Sequence, residues 1–78
     1  MPTIPEYTVL TPDALDALER AAREHRRVAL MRRGTEYVVV AEQLDCTNRD
    51  ELLYGRLPMT GEVLAFPLRE LERFAVLP

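Results

Sequence analysis

TPDALDALERAAREHR, residues 11–26, decides how this chain is read. Leu15, Leu18, Ala22 and His25 recur at helical spacing, with Ala14 and Ala21 beside them, so one face is apolar. The opposite face carries Asp16, Glu19, Arg20, Arg23, Glu24 and Arg27. Thr11 suits the helix cap, Pro12 the first helical position, and Asp13 the positive end of the helix dipole. The capping box stays incomplete, because Ala14 stands where Glu or Gln would complete it. Asp16 with Arg20, and Glu19 with Arg23, have the acid-first spacing of four that stabilises a helix surface. The pattern predicts a helix from Thr11 to about Arg26 whose His25 lies on the apolar side.

Beyond the helix the chain is β-like. Val28 to Arg33 and Glu36 to Gln43 flank Gly34-Thr35, which reads as a tight hairpin. Tyr37-Val38-Val39-Val40-Ala41 is β-branched and nearly all apolar, which predicts a central strand meeting protein on both faces. Asp45 to Asp50 is polar and turn-forming. Glu51 to Leu57 resumes a strand, with Gly55 marking a bend or bulge, and Pro58 to Gly61 turns the chain again. Glu62 to Phe66 is a short strand stopped by Pro67, Leu68 to Leu71 fits one 3₁₀ turn, and Arg73 to Leu77 ends the series. The fold class expected is α+β, mostly β: an N-terminal helix followed by a five-stranded antiparallel small barrel of the Sm or SH3-like kind. A two-layer β-ribbon with one helix is the alternative, disfavoured because it leaves long edges open to aggregation. Met1 to Leu10, proline-rich, reads as an extended arm, and 11–78 as one domain.

Composition narrows the function classes. Seventy-eight residues carry a net charge of −3, against the basic excess normal for a protein gripping a nucleic-acid backbone over a broad face. All ten basic residues are arginine. Cys46 is the single cysteine, so an internal disulfide and a cysteine-built metal site are excluded, and with no signal-like or membrane-spanning stretch the expected setting is the cytoplasm. His25 is the single histidine, with no Ser, Cys or carboxylate partner apparent in sequence; a packed helix-end residue explains it without catalysis. Cys46 reads as incidental, lacking a histidine to activate it. Gly34, Gly55 and Gly61 are too widely spaced for a phosphate loop. No catalytic residue, metal or cofactor is expected, and the chain reads as a binding module rather than an enzyme.

Two surfaces are candidates. Arg26, Arg27, Arg32 and Arg33 are the local basic cluster, a possible phosphate or RNA contact, although helix-end and turn positions also explain them. Asp13, Asp16 and Glu19, each three residues apart, form a stripe along the start of the helix. Dipole complementarity explains Asp13 fully and Glu19 less well, and an acidic stripe suits docking to a basic protein groove.

The run Asp16 to Glu19, Ala21-Ala22, His25, Val28 and Leu30 resembles the helix-to-first-strand passage of the Rof family. The likeness continues through Gly34, Ala41 to Asp45, Arg49 to Leu53, Gly61-Glu62, Leu64-Phe66-Leu68 and Leu71 to Phe74. Rof proteins are small inhibitors of the transcription terminator Rho. The resemblance implies an Sm-like barrel with an N-terminal helix, which occupies the RNA-entry surface of Rho through acidic residues. Carried onto this chain, Asp16 and Glu19 are the leading contacts, with Asp13 beside them. The chain departs from the family in its many arginines, its charges at Asp45 to Asp50 and its proline-rich arm. The Phe66 to Leu71 segment equally resembles WYL-type Sm-like ligand-sensing domains. An RNA-binding Sm-like barrel, or a ligand-sensing or structural module, is therefore the alternative function.

Overall fold

A computed structural model describes residues 11–46 and 51–78. The arm expected over Met1 to Leu10 lies outside the described residues, as does most of the Asp45 to Asp50 turn.

Helix α1 spans Pro12–Glu24, and the Thr11 hydroxyl accepts from the Ala14 N–H at 3.2 Å. It ends two residues earlier than its apolar pattern predicts. His25 takes a left-handed conformation (φ 52°), its N–H donating to the Ala22 carbonyl, while the Arg26 N–H donates to the Ala21 carbonyl at 2.8 Å. Those two bonds satisfy two of the last four helical carbonyls and turn the chain straight into the sheet. His25 is consequently exposed rather than packed on the apolar side.

The five strands are β1 (Arg27–Arg32), β2 (Thr35–Asp45), β3 (Leu52–Arg56), β4 (Val63–Pro67) and β5 (Leu71–Val76). A 3₁₀ turn, Leu68–Glu70, joins β4 to β5 as expected. All pairings are antiparallel, in the order β4-β3-β2-β1-β5. The expected helix followed by a five-stranded antiparallel sheet is present, but the barrel is not closed by hydrogen bonds, since β4 and β5 are both edges among the described strands.

The long strand β2 makes the sheet bend. Its first half, Thr35 to Val40, pairs with β1, and its second half, Val40 to Asp45, pairs with β3. The register shifts between Ala41 and Gln43, so Glu42 is an extra residue and β2 carries a bulge there. The β1–β2 turn uses Arg33 (φ 49°) and Gly34 (φ 76°), one residue earlier than the Gly34-Thr35 reading. Two successive left-handed residues match the twist of the strands they join. The Glu72 carboxylate accepts from the Gly34 N–H at 2.8 Å and ties this turn to β5.

One core fills the space between α1 and the inner face of the sheet. Ala14, Leu18, Ala21 and Ala22 of α1 pack there with Val28, Leu30, Val39, Ala41, Leu53, Phe66, Leu68 and Phe74. The Tyr37 to Ala41 run does not meet protein on both faces: Val39 and Ala41 are buried, but Val38 is 40% exposed. The single helix covers the inner face, and no described element covers the outer one. No helix among the described residues is long and apolar enough to cross a membrane.

Candidate functional site

Asp13, Asp16 and Glu19 are all exposed on α1, opposite the buried Ala14, Leu18, Ala21 and Ala22. The expected pairs Asp16–Arg20 and Glu19–Arg23 are not among the ion pairs that the described residues form. Asp13 and Asp16 have no hydrogen-bond or ion-pair partner among the described residues. Glu19 likewise has no hydrogen-bond or ion-pair partner among the described residues, and its charge is one minor influence on Cys46. Partial desolvation pushes the otherwise exposed Cys46 thiol up, and the charges of Glu51, Asp45 and Glu19 push it further in the same direction. Cys46 is exposed, with its Sγ 3.8 Å from Glu51 Oε2. Carboxylates around a thiol disfavour the thiolate, so the residue is poorly suited to nucleophilic work.

The arginine cluster is divided. Arg26 and Arg27 stand at the start of β1 and Arg32 and Arg33 at its far end, about 17 Å away at the usual rise per strand residue. Arg26 donates to the Leu77 carbonyl at 2.9 Å and lies 3.5 Å from Glu24. Arg32 donates to Glu70 through Nε at 2.8 Å and its terminal nitrogen at 2.6 Å, with Arg33 3.5 Å from the same carboxylate. Arg32 also lies over the Phe66 ring, 5.9 Å from its centre. Three of the four arginines thus face carboxylates of the protein itself, and Arg27 is exposed.

A second polar centre forms at the bulge. Glu42 accepts from Arg56 Nε at 2.6 Å and lies 3.3 Å from His25 Nδ1, so it links the end of α1, β2 and β3. Glu42, Gln43, Tyr54, Arg56 and Val63 line an open groove of about 450 Å³ on the outer face. The signal missed in the sequence is this bulge, which projects Glu42 from an otherwise regular strand. Among the described residues no three His, Cys, Asp or Glu side chains are placed to hold a metal ion.

Hydrogen bonds from Arg56 and Arg32 hold the Glu42 and Glu70 carboxyls below their ordinary value of 4.5. A carboxyl depressed by folding adds stability that is present above its unfolded pKa and lost as pH falls through the folded one. The urea midpoint is therefore expected to drop as pH falls below about 4.5, and to drop less in a Glu42→Gln, Glu70→Gln double variant. Equal acid sensitivity of the two proteins would show that other carboxylates dominate.

No protein-family model, curated protein or solved structure matches this chain.

Proposed function

We propose that this chain is a non-enzymatic protein-binding module whose acidic α1 face docks on a basic surface of a partner. The observation that carries this reading is the charge of the exposed α1 face, where Asp13, Asp16, Glu19 and Glu24 outnumber Arg20 and Arg23. Arg26, Arg32, Arg33 and Arg56 face carboxylates within the fold, whereas Asp13 and Asp16 are exposed and free of such partners among the described residues. Arginines that share carboxylates of the fold offer less to phosphate, although Glu70 serves both Arg32 and Arg33, while the carboxylate excess of α1 offers an electrostatic match to lysine and arginine. The resemblance to Rof supplies the concrete form: a modulator of Rho-dependent termination, acting in the cytoplasm. Its Asp16 and Glu19, flanked by Asp13, occupy cationic sites of Rho that otherwise hold RNA phosphate.

The test is titration of the purified chain against Rho at low and moderate salt, with Asp16→Arg, Glu19→Arg as the variant. Both positions are exposed, so the double variant is expected to fold with little change in stability. Affinity is expected to fall at least about tenfold, or ~1.4 kcal/mol, and RNA is expected to compete with the native chain. Undiminished affinity in the variant would remove α1 as the interface. No binding at low salt, with Rho active toward RNA in the same buffer, would remove Rho as the partner.

A further inference from the structure

The strand β4 is an edge without a charge. Val63-Leu64-Ala65-Phe66-Pro67 contains no acidic or basic residue, unlike β1, β2, β3 and β5. The opposite edge, β5, carries Glu72 and Arg73. Charges on edge strands discourage pairing with another chain, and β4 lacks that protection. Two of the three exposed large hydrophobic side chains among the described residues, Met59 (95%) and Val63 (53%), belong to the hairpin that carries this edge.

The ladder shows which backbone groups of β4 have no partner among the described residues. The Leu57 N–H donates to Glu62 at 2.8 Å at one end, and the Leu68 N–H donates to Glu51 at 2.9 Å at the other. In the β3–β4 register, bonded pairs alternate with non-bonded ones, so Gly55 bonds Leu64 and Leu53 bonds Phe66. Arg56 with Val63, Tyr54 with Ala65, and Leu52 with Pro67 are the non-bonded pairs. Hence the N–H and C=O groups of Val63 and Ala65 point away from β3, and Pro67, which has no N–H, sits where none is needed. The side chains of Val63 and Ala65 are exposed.

We propose that two copies of this chain pair through β4, antiparallel, about a two-fold axis at Leu64. In that register Val63 of each copy faces Ala65 of the other and exchanges both hydrogen bonds, so four bonds satisfy every free donor and acceptor of the two residues. A second copy is the fitting occupant because the edge is uncharged and β4 is the one described strand that matches it in that respect. The pairing is isologous and closes at a dimer. It uses neither α1 nor its carboxylates, so it is independent of the reading above.

The experiment is analytical ultracentrifugation of the full chain over a wide concentration range, beside Ala65→Pro and Ala65→Lys. Proline at 65 removes an N–H that points away from β3 and so leaves the β3 ladder intact. Lysine adds an edge charge without altering the backbone, and covers the case in which the proline variant fails to fold. The native chain is expected to reach twice its 9.0 kDa mass, with the dissociation constant raised at least tenfold in a folded variant. A monomer at every concentration, a dimer indifferent to the folded variants, or larger assemblies built from β4 on β5 would each overturn the proposal.

Discussion

Gly55→Ala is expected to destabilise the protein by about 2–3 kcal/mol, although alanine is the smallest possible change. Gly55 is buried in β3, opposite Ala41 of β2 and Leu64 of β4. A Cβ there would stand 2.5 Å from Val39 Cγ2, 2.9 Å from Val39 Cβ and 3.3 Å from Phe66 Cε2. Both neighbours are fully buried in the core, so neither side chain has open space to yield into. Phe66 is further held by the Tyr37 ring, edge-on at 5.3 Å between centres. For a domain this small, the loss corresponds to a fall in Tm of roughly 10–20 °C. The check is thermal unfolding of Gly55→Ala alone and in a Val39→Ala background. Removing the Val39 methyls takes away the shortest contact but not the one to its Cβ. The glycine substitution is therefore expected to cost less in that background, with a coupling above about 0.5 kcal/mol. Strict additivity would show that β3 and β2 move apart instead, and that the glycine is not a packing requirement.

The second large effect concerns the attachment of α1. Leu18→Ala is expected to cost about 3 kcal/mol, a large part of the ~4–12 kcal/mol typical of a chain this long. Leu18 is fully buried, and its other buried neighbours on α1 are the alanines Ala14, Ala21 and Ala22. It is the one large fully buried side chain that the helix contributes, so truncation leaves a cavity that small neighbours cannot refill. The helix lies mainly against β2, and much of its stability comes from that docking rather than from propensity. Urea unfolding gives the measurement, with Leu15→Ala as the comparison, because Leu15 is only partly buried. A loss below about 1 kcal/mol at Leu18 would mean that α1 is an appendage of the sheet rather than part of its core. The contrast with the exposed Asp16 and Glu19 matters here, since their reversal should change binding while leaving the urea midpoint nearly still.

Much of this architecture is legible because its signals are local. Thr11-Pro12-Asp13 announces a helix start through capping, fixed φ and dipole, each of which acts within one turn. The order of strands and turns follows from Gly34, Gly61, Pro58 and Pro67, which restrict or free the backbone wherever they stand, whereas Gly55, read as a bend or bulge of its own strand, lies inside β3 with the bulge on β2 opposite it. Errors appear where the neighbour is distant. The periodic pattern runs on through His25, but the helix stops before it because Arg26 must turn at once into β1. Continuous apolarity over Tyr37 to Ala41 suggests protein on both faces, yet it leaves Val38 open on a face that no described element covers.

The candidate surfaces divide in the same way. The stripe Asp13, Asp16 and Glu19 can be counted off the sequence, because three-residue spacing on a helix is a geometric fact. Its pairing with nearby arginines looks equally local, but none of those pairs forms among the described residues, where solvated side chains gain little from closing. The four arginines sit close together in sequence, but the extended length of β1 holds its two ends apart. Arg32 and Glu70 are 38 positions apart, and Glu42 and Arg56 are 14 apart, so folding alone brings each pair together.

By itself, then, the sequence determined the helix, the succession of five strands, the turn chemistry and the presence of a carboxylate stripe. All of these arise from interactions spanning a few residues. Only the tertiary structure decided that β2 bulges at Glu42, that Gly55 leaves no room for a Cβ, and which arginines meet carboxylates. It also decided that β4 is an uncharged edge among the described strands. Those features depend on which strands become neighbours, and that is settled by burying one continuous core, a property of the whole chain rather than of any segment.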